Sequence, residues 1–181
     1  MNIRETMMTV EIPKGSNIKY EIKDGRLICD RVLHTPMSYI FNYGCFEKTI
    51  AGDRDPLDAV LITDTSFYPN CLVNCRIIGV LITSDEKGLD EKIITVPADN
   101  IDPQYSKYKD INDLSESTLA QIKFFFENYK SLEKGKKVNV GEFKNREEAL
   151  KIYDKSIEAH DVYKSLSPPD MDYVMKKFYN A

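Results

Sequence analysis

The sequence predicts an α+β fold that is mainly β, with a barrel or sandwich of short strands followed by helices. Two observations predict it. Short apolar or alternating segments, separated by turn residues, fill the first two-thirds of the 181-residue chain, as is typical of an all-β unit. Apolar residues at helical spacing fill the last third. No repeat, linker or boundary interrupts the pattern, so we expect one domain over residues 1–181.

The strands are predicted from alternation and from apolar runs. They cover residues 9–12, 18–22, 26–32, 37–43, 57–63, 72–83 and 92–96. In the second strand, Lys19 and Glu21 share the polar face, because successive side chains point to opposite sides. A turn at Asp24-Gly25 joins it to the third strand as a hairpin. The fifth is an apolar run of the kind buried on both faces, and Gly79 predicts a bend or bulge in the sixth.

Three helices are predicted in the last third. The first carries apolar residues at helical spacing, namely Leu119, Ile122, Phe126 and Tyr129. Asp113 or Ser115 caps its start, and Gly135 marks its end. A second helix begins near Asn145 and runs to about residue 159. A third, short helix follows Asp170, after two prolines of the kind favoured in a first turn.

The composition excludes several classes of protein. The chain has 25 basic and 29 acidic residues, a net charge of −4, and its pI near 5.3 argues against a general nucleic-acid binder. No apolar run approaches the ~18 residues that span a bilayer. The N-terminal 13 residues lack the apolar core of a signal peptide. We therefore expect a cytoplasmic protein with no membrane and no nucleic-acid partner.

The cysteines argue against a metal site built on sulfur. The chain has two histidines and no CxxC pair, which is a poor basis for zinc. Reduced, partly buried thiols in a cytosolic protein are the simpler interpretation. The four residues concerned are Cys29, Cys45, Cys71 and Cys75.

The aspartates are the first sign of chemistry. Asp53, Asp55 and Asp58 lie within six residues, and Asp85 and Asp90 flank a later turn. Two anions ~5 Å apart repel by roughly 3 kcal/mol at an effective dielectric near 20, so a cluster of them favours a hard divalent cation such as Mg²⁺. A solvated acidic loop is the alternative. It fits less well because Asp58 leads directly into an apolar strand.

The spacing of these aspartates also excludes a calcium loop of the EF-hand type, since the glycine that such a loop needs at its sixth position is replaced by Asp58. A second group of residues is suited to phosphate. Its cations are Lys19, Arg31, Lys92 and Lys130, and its phenols are Tyr39, Tyr43 and Tyr129. Taken alone, a lysine or arginine of this kind is more often an ordinary surface residue, and such a tyrosine is more often part of the core. Combined with an acidic metal cluster, they indicate metal-assisted phosphoryl transfer to water.

In these motifs the chain resembles the soluble Family I inorganic pyrophosphatases, most closely the compact bacterial type. The matching stretches are residues 11–13, 18–22, 30–31, 42–44, 53–58, 109–114 and 125–136. The resemblance runs from about residue 9 to 159, which leaves about 160–181 as a C-terminal extension. It implies a five-stranded OB-like barrel with flanking C-terminal helices, hydrolysis of pyrophosphate to two phosphates, and a homo-oligomer, a hexamer in bacterial members.

The resemblance also implies roles for particular residues. Asp55 is the expected general base, and the expected ligands of Mg²⁺ are Asp53, Asp58, Asp85, Asp90 and Glu21, with Mn²⁺ as an alternative ion. About three to four such ions are expected with substrate. The phosphates are expected to contact Lys19, Arg31, Tyr43, Tyr129 and Lys130. Of these, Tyr43, Arg31 and Lys130 join Asp55 in the expected catalytic set. Glu11, Tyr39 and Lys92 are expected to support the site.

Four positions depart from the family pattern. Arg54 replaces a small or polar residue inside the aspartate signature, and Ile40 replaces a proline. Phe124 and Asn128 stand where bacterial hexamers often have histidines. Arg54 motivates an alternative, a pyrophosphatase-like protein that binds phosphate and metal with weak or no turnover. A nucleic-acid module of the OB type is a further alternative, against which the acidic balance argues.

Overall fold

The structure, a computed structural model, describes residues 4–181, so the first three residues of the N-terminal segment lie outside it. The strands in this part of the chain are β1 (Glu5–Ile12), β2 (Ile18–Lys23), β3 (Arg26–Val32), β4 (Asn42–Cys45), β5 (Asp58–Leu61), β6 (Cys71–Asp85), β7 (Gly88–Leu89), β8 (Lys92–Pro97) and β9 (Asn139–Asn145). The helices are α1 (Glu116–Asn128), α2 (Arg146–Ser165) and α3 (Met171–Tyr179), with two short 3₁₀ turns before α1. The predicted α+β, mainly β fold with C-terminal helices is confirmed.

Five strands close into a ring in the order β1–β4–β5–β8–β6, because β6 pairs back onto β1. β5 and β8 are parallel, and the other pairs in the ring are antiparallel. β7 and β9 add to β6, and β2–β3 is a separate hairpin. The bulge predicted at Gly79 is present, since the β6–β8 register shifts between Ile77 and Gly79. A Cβ on Gly79 would lie 2.6 Å from Ile111.

Aromatic rings fill the space between β4 and α1. Phe41 stacks on Phe126 with 5.4 Å between ring centroids, and Phe125 stacks on Tyr129 at 5.0 Å. Because these rings are nearly fully buried, they contribute much of the apolar area removed from water on this side. A second apolar cluster packs the other side of the ring against α2.

Three predicted boundaries are wrong, and one alternative is settled. Residues 37–41 are not a strand, because the backbone of Tyr39 bonds to Gly15 and Ser16 in a loop instead of a ladder. Of the two predicted caps of α1, Ser115 is confirmed, whereas Asp113 belongs to a 3₁₀ turn. α1 ends at Asn128, so Gly135 lies in a later turn. α2 continues past residue 159 to Ser165, since its last turns pack on α3. β9 was not predicted.

The C-terminal helix docks on the rest of the chain. Val174 and Met175 of α3 are fully buried against Ile50 and Ala159. The short helix predicted after Asp170 is confirmed, and the Asp170 side chain caps its start. The described helices include none with the length and apolar character needed to cross a membrane. All four cysteines are free thiols.

Candidate active site

A cleft of about 650 Å³ opens beside the ring. Its walls are the β2–β3 hairpin, the loop before β5, the β6–β7 turn and the residues after α1. The predicted site residues that line it are Glu11, Lys19, Glu21, Arg31, Tyr43, Asp53, Asp55, Asp58, Asp85, Asp90, Lys92, Tyr129 and Lys130. Tyr39 does not line it. Its ring is 2% exposed and lies edge-on behind Tyr129, with 6.2 Å between centroids.

The deepest part of the cleft is a group of three charges. The parallel pairing of β5 and β8 places Asp58 opposite Lys92. The Lys92 Nζ is 2.5 Å from a carboxylate oxygen of Asp58 and 2.5 Å from one of Asp90. Lys92 is only 2% exposed. This ammonium therefore holds two partly buried carboxylates together that would otherwise repel each other.

Burial sets the ionisation of this group, and the neighbouring charges modify it. Burial opposes ionisation of Asp58, but the charge of Lys92 and hydrogen bonds from Lys92 and Tyr43 outweigh it, so the pKa of Asp58 is lowered. The pKa of Asp90 is raised, because burial and the charge of Asp58 oppose its ionisation more strongly than the charge of Lys92 favours it. Two carboxylates with oppositely shifted pKa values thus share one ammonium.

The loop between β4 and β5 presents the other two aspartates. Asp53 Oδ1 accepts a hydrogen bond of 3.1 Å from the backbone N–H of Asp55. Burial, followed by the charges of Asp58 and Asp55, raises the pKa of Asp53 to about 6. The Asp55 carboxylate is exposed and lies 3.2 Å from Lys87 Nζ. Arg54 between them has φ +76°, a left-handed conformation that is uncommon outside glycine.

The β2–β3 hairpin forms the basic wall of the cleft. As predicted, Lys19 and Glu21 share a face, with Lys19 Nζ 2.7 Å from Glu21 and 3.2 Å from Asp30. Hydrogen bonds from Lys19 and Lys23 lower the pKa of Glu21 to about 2. Arg31 donates from Nε to Glu133 at 2.6 Å. The contact ties the hairpin to the turn after α1.

Phenols, one further lysine and a partly buried glutamate complete the cleft. Tyr43 donates its hydroxyl proton to Asp58. Lys130 lies with Nζ 5.3 Å from the centroid of the Tyr129 ring. Burial, together with the charge of Lys92, lowers the pKa of Lys130. Burial and the Asp58 charge raise the pKa of Glu11 to about 7.

The prediction missed several residues that contact the site. Lys23 continues the alternation of Lys19 and Glu21, so the same pattern would have found it. Asp30 precedes Arg31 and bonds to it. Lys87 and Glu133 are ordinary turn residues in sequence, and only the fold brings them to Asp55 and Arg31. No local pattern would have identified those two.

The donor set fits a hard cation. Within residues 4–181, no three His, Cys, Asp or Glu side chains already converge as a metal-ligand group. Ammonium groups of lysines lie against the carboxylates of Glu21, Asp55, Asp58 and Asp90 instead. The acidic side chains along the cleft nevertheless offer only oxygen donors, which are the ligands of Mg²⁺ and Mn²⁺.

The chain is similar to proteins of one family. It matches the family model described as "Inorganic pyrophosphatase" over residues 8–161. A relative so named from Nanoarchaeum equitans is 49% identical over 148 residues, 82% of this chain and 92% of that protein. Another, from Helicobacter pylori, is 47% identical over 155 residues, 84% of this chain and 90% of that protein.

Solved structures of such proteins have the same fold. The inorganic pyrophosphatase of Helicobacter pylori superposes with a TM-score of 0.85 at 44% identity, over 89% of this chain and 98% of that one. That of Thermus thermophilus gives 0.83 at 37% identity, over 87% and 91%. The family match includes every residue that lines the cleft.

Proposed function

Because the chain belongs to the inorganic pyrophosphatase family, we propose that it hydrolyses pyrophosphate to two phosphates and that Mg²⁺ activates the reaction. The observation that carries the proposal is the meeting of two opposite walls in one cleft. Carboxylates of the loop before β5 and of the β6–β7 turn face the cations of the β2–β3 hairpin. Pyrophosphate is a polyanion that needs cations around it, and the acidic wall is suited to supply them as bound metal.

The metal is proposed to bind to the acidic wall. Asp53, Asp58 and Asp90 would hold a first ion, and Asp58 would be shared with a second. Asp85 and Asp90 would hold a third ion, and Glu21 would hold a fourth. When bound, Mg²⁺ neutralises phosphate oxygens and makes a bound water more acidic.

The protein's own side chains perform the remaining tasks. Asp55 accepts a proton from the attacking water, a role that its exposed position on the cleft wall supports. Lys19, Lys130 and Arg31 bind the phosphate oxygens. Arg31 uses its Nε–H on Glu133 and an Nη1–H on Asp30, and because its guanidinium has five donors in all, others remain for the substrate. Fixed cations around the bridging oxygen stabilise the charge that develops on the leaving phosphate.

The buried residues shape this site from behind. Tyr43 and Tyr129 present hydroxyl groups to the cleft from largely buried rings. Tyr39 packs behind both rings, 5.6 Å and 6.2 Å from their centroids. We propose that it supports them, and that Lys92 and Glu11 set the charge around Asp58.

The placement of Arg54 favours turnover over the alternative of a protein that only binds. Its guanidinium lies 2.7 Å from Asp172 of α3 and not on the acidic wall. We further propose a cytoplasmic homo-oligomer, a hexamer as in bacterial members. Phe124, 60% exposed on α1, supports self-association through an apolar contact. Size-exclusion chromatography of Phe124→Ser, compared with the wild type, tests this part.

Release of phosphate from pyrophosphate tests the activity. We expect steady release with Mg²⁺ and none after chelation by EDTA. Asp55→Asn should lower kcat by about 10²- to 10⁴-fold, the usual contribution of a general base. Asp64→Asn is the matched control, because Asp64 is an exposed carboxylate beside Lys14, outside the cleft. No release by the wild-type protein with Mg²⁺ would refute the proposal.

A further inference from the structure

The loop that carries Asp53 and Asp55 rests on α3, a helix outside the residues that match the family model. Tyr179 donates its hydroxyl proton to the Ile50 carbonyl oxygen at 2.5 Å. The Ile50 side chain is buried with Val174 and Met175 of the same helix. The helix therefore fixes the start of the loop through both a hydrogen bond and apolar packing.

The same helix also holds the guanidinium of this loop. Arg54 lies between two proposed functional carboxylates, Asp53 and Asp55. Its Nη2 is 2.7 Å from Asp172 Oδ1 in the first turn of α3. Both side chains of this pair are exposed, Arg54 by 54% and Asp172 by 82%. An exposed ion pair contributes little to stability. The main effect of this pair is therefore to orient the Arg54 side chain.

A released Arg54 has other partners within the same loop. Its flexible side chain starts from the residue between Asp53 and Asp55, and guanidinium binds carboxylate in a forked geometry. Any carboxylate that it occupied would be less available to a divalent cation, because both cations compete for the same oxygens. The contact with Asp172 removes this competitor from the acidic wall.

We propose that Asp172 is a positioning residue: it keeps the Arg54 guanidinium away from the acidic wall, and α3 thereby sets the affinity of that wall for divalent cations. The inference rests on the proposed metal-dependent function. It predicts that two substitutions are coupled, because Asp172 affects the affinity for divalent cations only while Arg54 is present.

Calorimetric titration of the full-length protein with Mg²⁺, without substrate, tests the proposal. Asp172→Asn should raise the Kd for Mg²⁺ about two- to fivefold, the range that an exposed ion pair can sustain. Arg54→Ala should leave the Kd at or below the wild-type value. The double variant should return to the value of Arg54→Ala. Asp161→Asn, which removes an exposed carboxylate from α2, should leave the Kd unchanged.

A merely structural role for Asp172 gives a different pattern, in which the double variant binds Mg²⁺ as weakly as Asp172→Asn. That result, or equal affinities of Asp172→Asn and the wild type, would overturn the proposal. A wild-type protein that does not bind Mg²⁺ would instead overturn the proposed function, and this proposal with it. Phosphate release gives a second readout: Asp172→Asn should need more Mg²⁺ for half-maximal rate and keep its kcat at saturating Mg²⁺.

Discussion

Replacing Lys92 by methionine tests the electrostatics of the cleft most directly. The substitution keeps the apolar length of the side chain and removes only the charge. Lys92 is 2% exposed and contacts both Asp58 and Asp90 at 2.5 Å. Their side chains are 23% and 11% exposed. Without the ammonium, two poorly solvated carboxylates face each other.

The size of the effect follows from this burial. Removing one partner of a buried ion pair costs about 3–5 kcal/mol, because the remaining charge is left without compensation. We expect a loss of this size in the free energy of unfolding at pH 7.5 without metal. The same substitution at Lys123, in a surface pair with the exposed Glu142, should cost no more than about 1 kcal/mol.

The pH dependence gives the prediction its sign. In the variant, burial and mutual repulsion raise the folded-state pKa of the carboxyl pair above its unfolded value. A group of this kind destabilises the fold as pH rises through the raised pKa, so the variant should regain stability as pH falls from 7.5 to 5. Asp90, whose pKa is already raised in the wild type, is the group expected to take up the proton.

Urea denaturation followed by circular dichroism, at pH 7.5 and pH 5 and with and without Mg²⁺, measures these effects. Mg²⁺ should stabilise Lys92→Met more than the wild type, because it can compensate the same two carboxylates. Equal midpoints for Lys92→Met and Lys123→Met at pH 7.5 would refute the reasoning. A variant that is unfolded at pH 7.5 and does not recover at pH 5 would refute it as well.

Three further predictions concern other parts of the site. The pKa of Glu11 is raised to about 7, so the metal-free protein should lose stability as pH rises from 5 to 8. In Glu11→Gln, the free energy of unfolding should fall by about 3 kcal/mol less between these two pH values than in the wild type, as measured by urea denaturation at both pH values. Gly44→Ala should destabilise the protein by about 3 kcal/mol, because its Cβ would lie 1.8 Å from the Thr9 carbonyl oxygen; a thermal midpoint equal to that of the wild type would contradict this. Arg31→Lys should raise the KM for pyrophosphate about tenfold by losing the planar fork, whereas Arg26→Lys at the exposed start of β3 should not change it.

Local chemistry explains which parts of the fold the sequence predicts. The β2–β3 hairpin was predicted closely, because its alternation and its Asp24-Gly25 turn are both local signals. β9 was missed, since Asn139–Asn145 is mostly polar and its strand conformation comes from pairing with β6. The segment before β4 was predicted as a strand from its aromatic residues. Those rings are buried against α1, which does not require the backbone to pair with a neighbouring strand. The backbone of this segment forms a loop.

The same division applies to the site. Alternation alone placed Lys19 and Glu21 on one face, and their 2.7 Å contact agrees with it. The spacing of the aspartates indicated a cation, but it could not show that Lys92 lies between Asp58 and Asp90. That arrangement depends on long-range pairing between β5 and β8, which are separated in the sequence by β6 and β7. The partner of Arg54 could not be predicted either, because Asp172 belongs to a helix at the far end of the chain.

The charge group in the cleft depends on the register of β5 and β8. Parallel pairing places Asp58 opposite Lys92 at the same end of both strands, so a residue that begins one strand meets the residue that begins the other. A slip of one residue would bring Ile93 opposite Asp58 and turn Lys92 to the other face, because side chains alternate along a strand. Ile93 and Ile94 are both completely buried. The slip would therefore place the charged side chain of Lys92 in the apolar core where these isoleucines pack. The apolar core therefore fixes the register, and the register places the charges that the proposed chemistry needs.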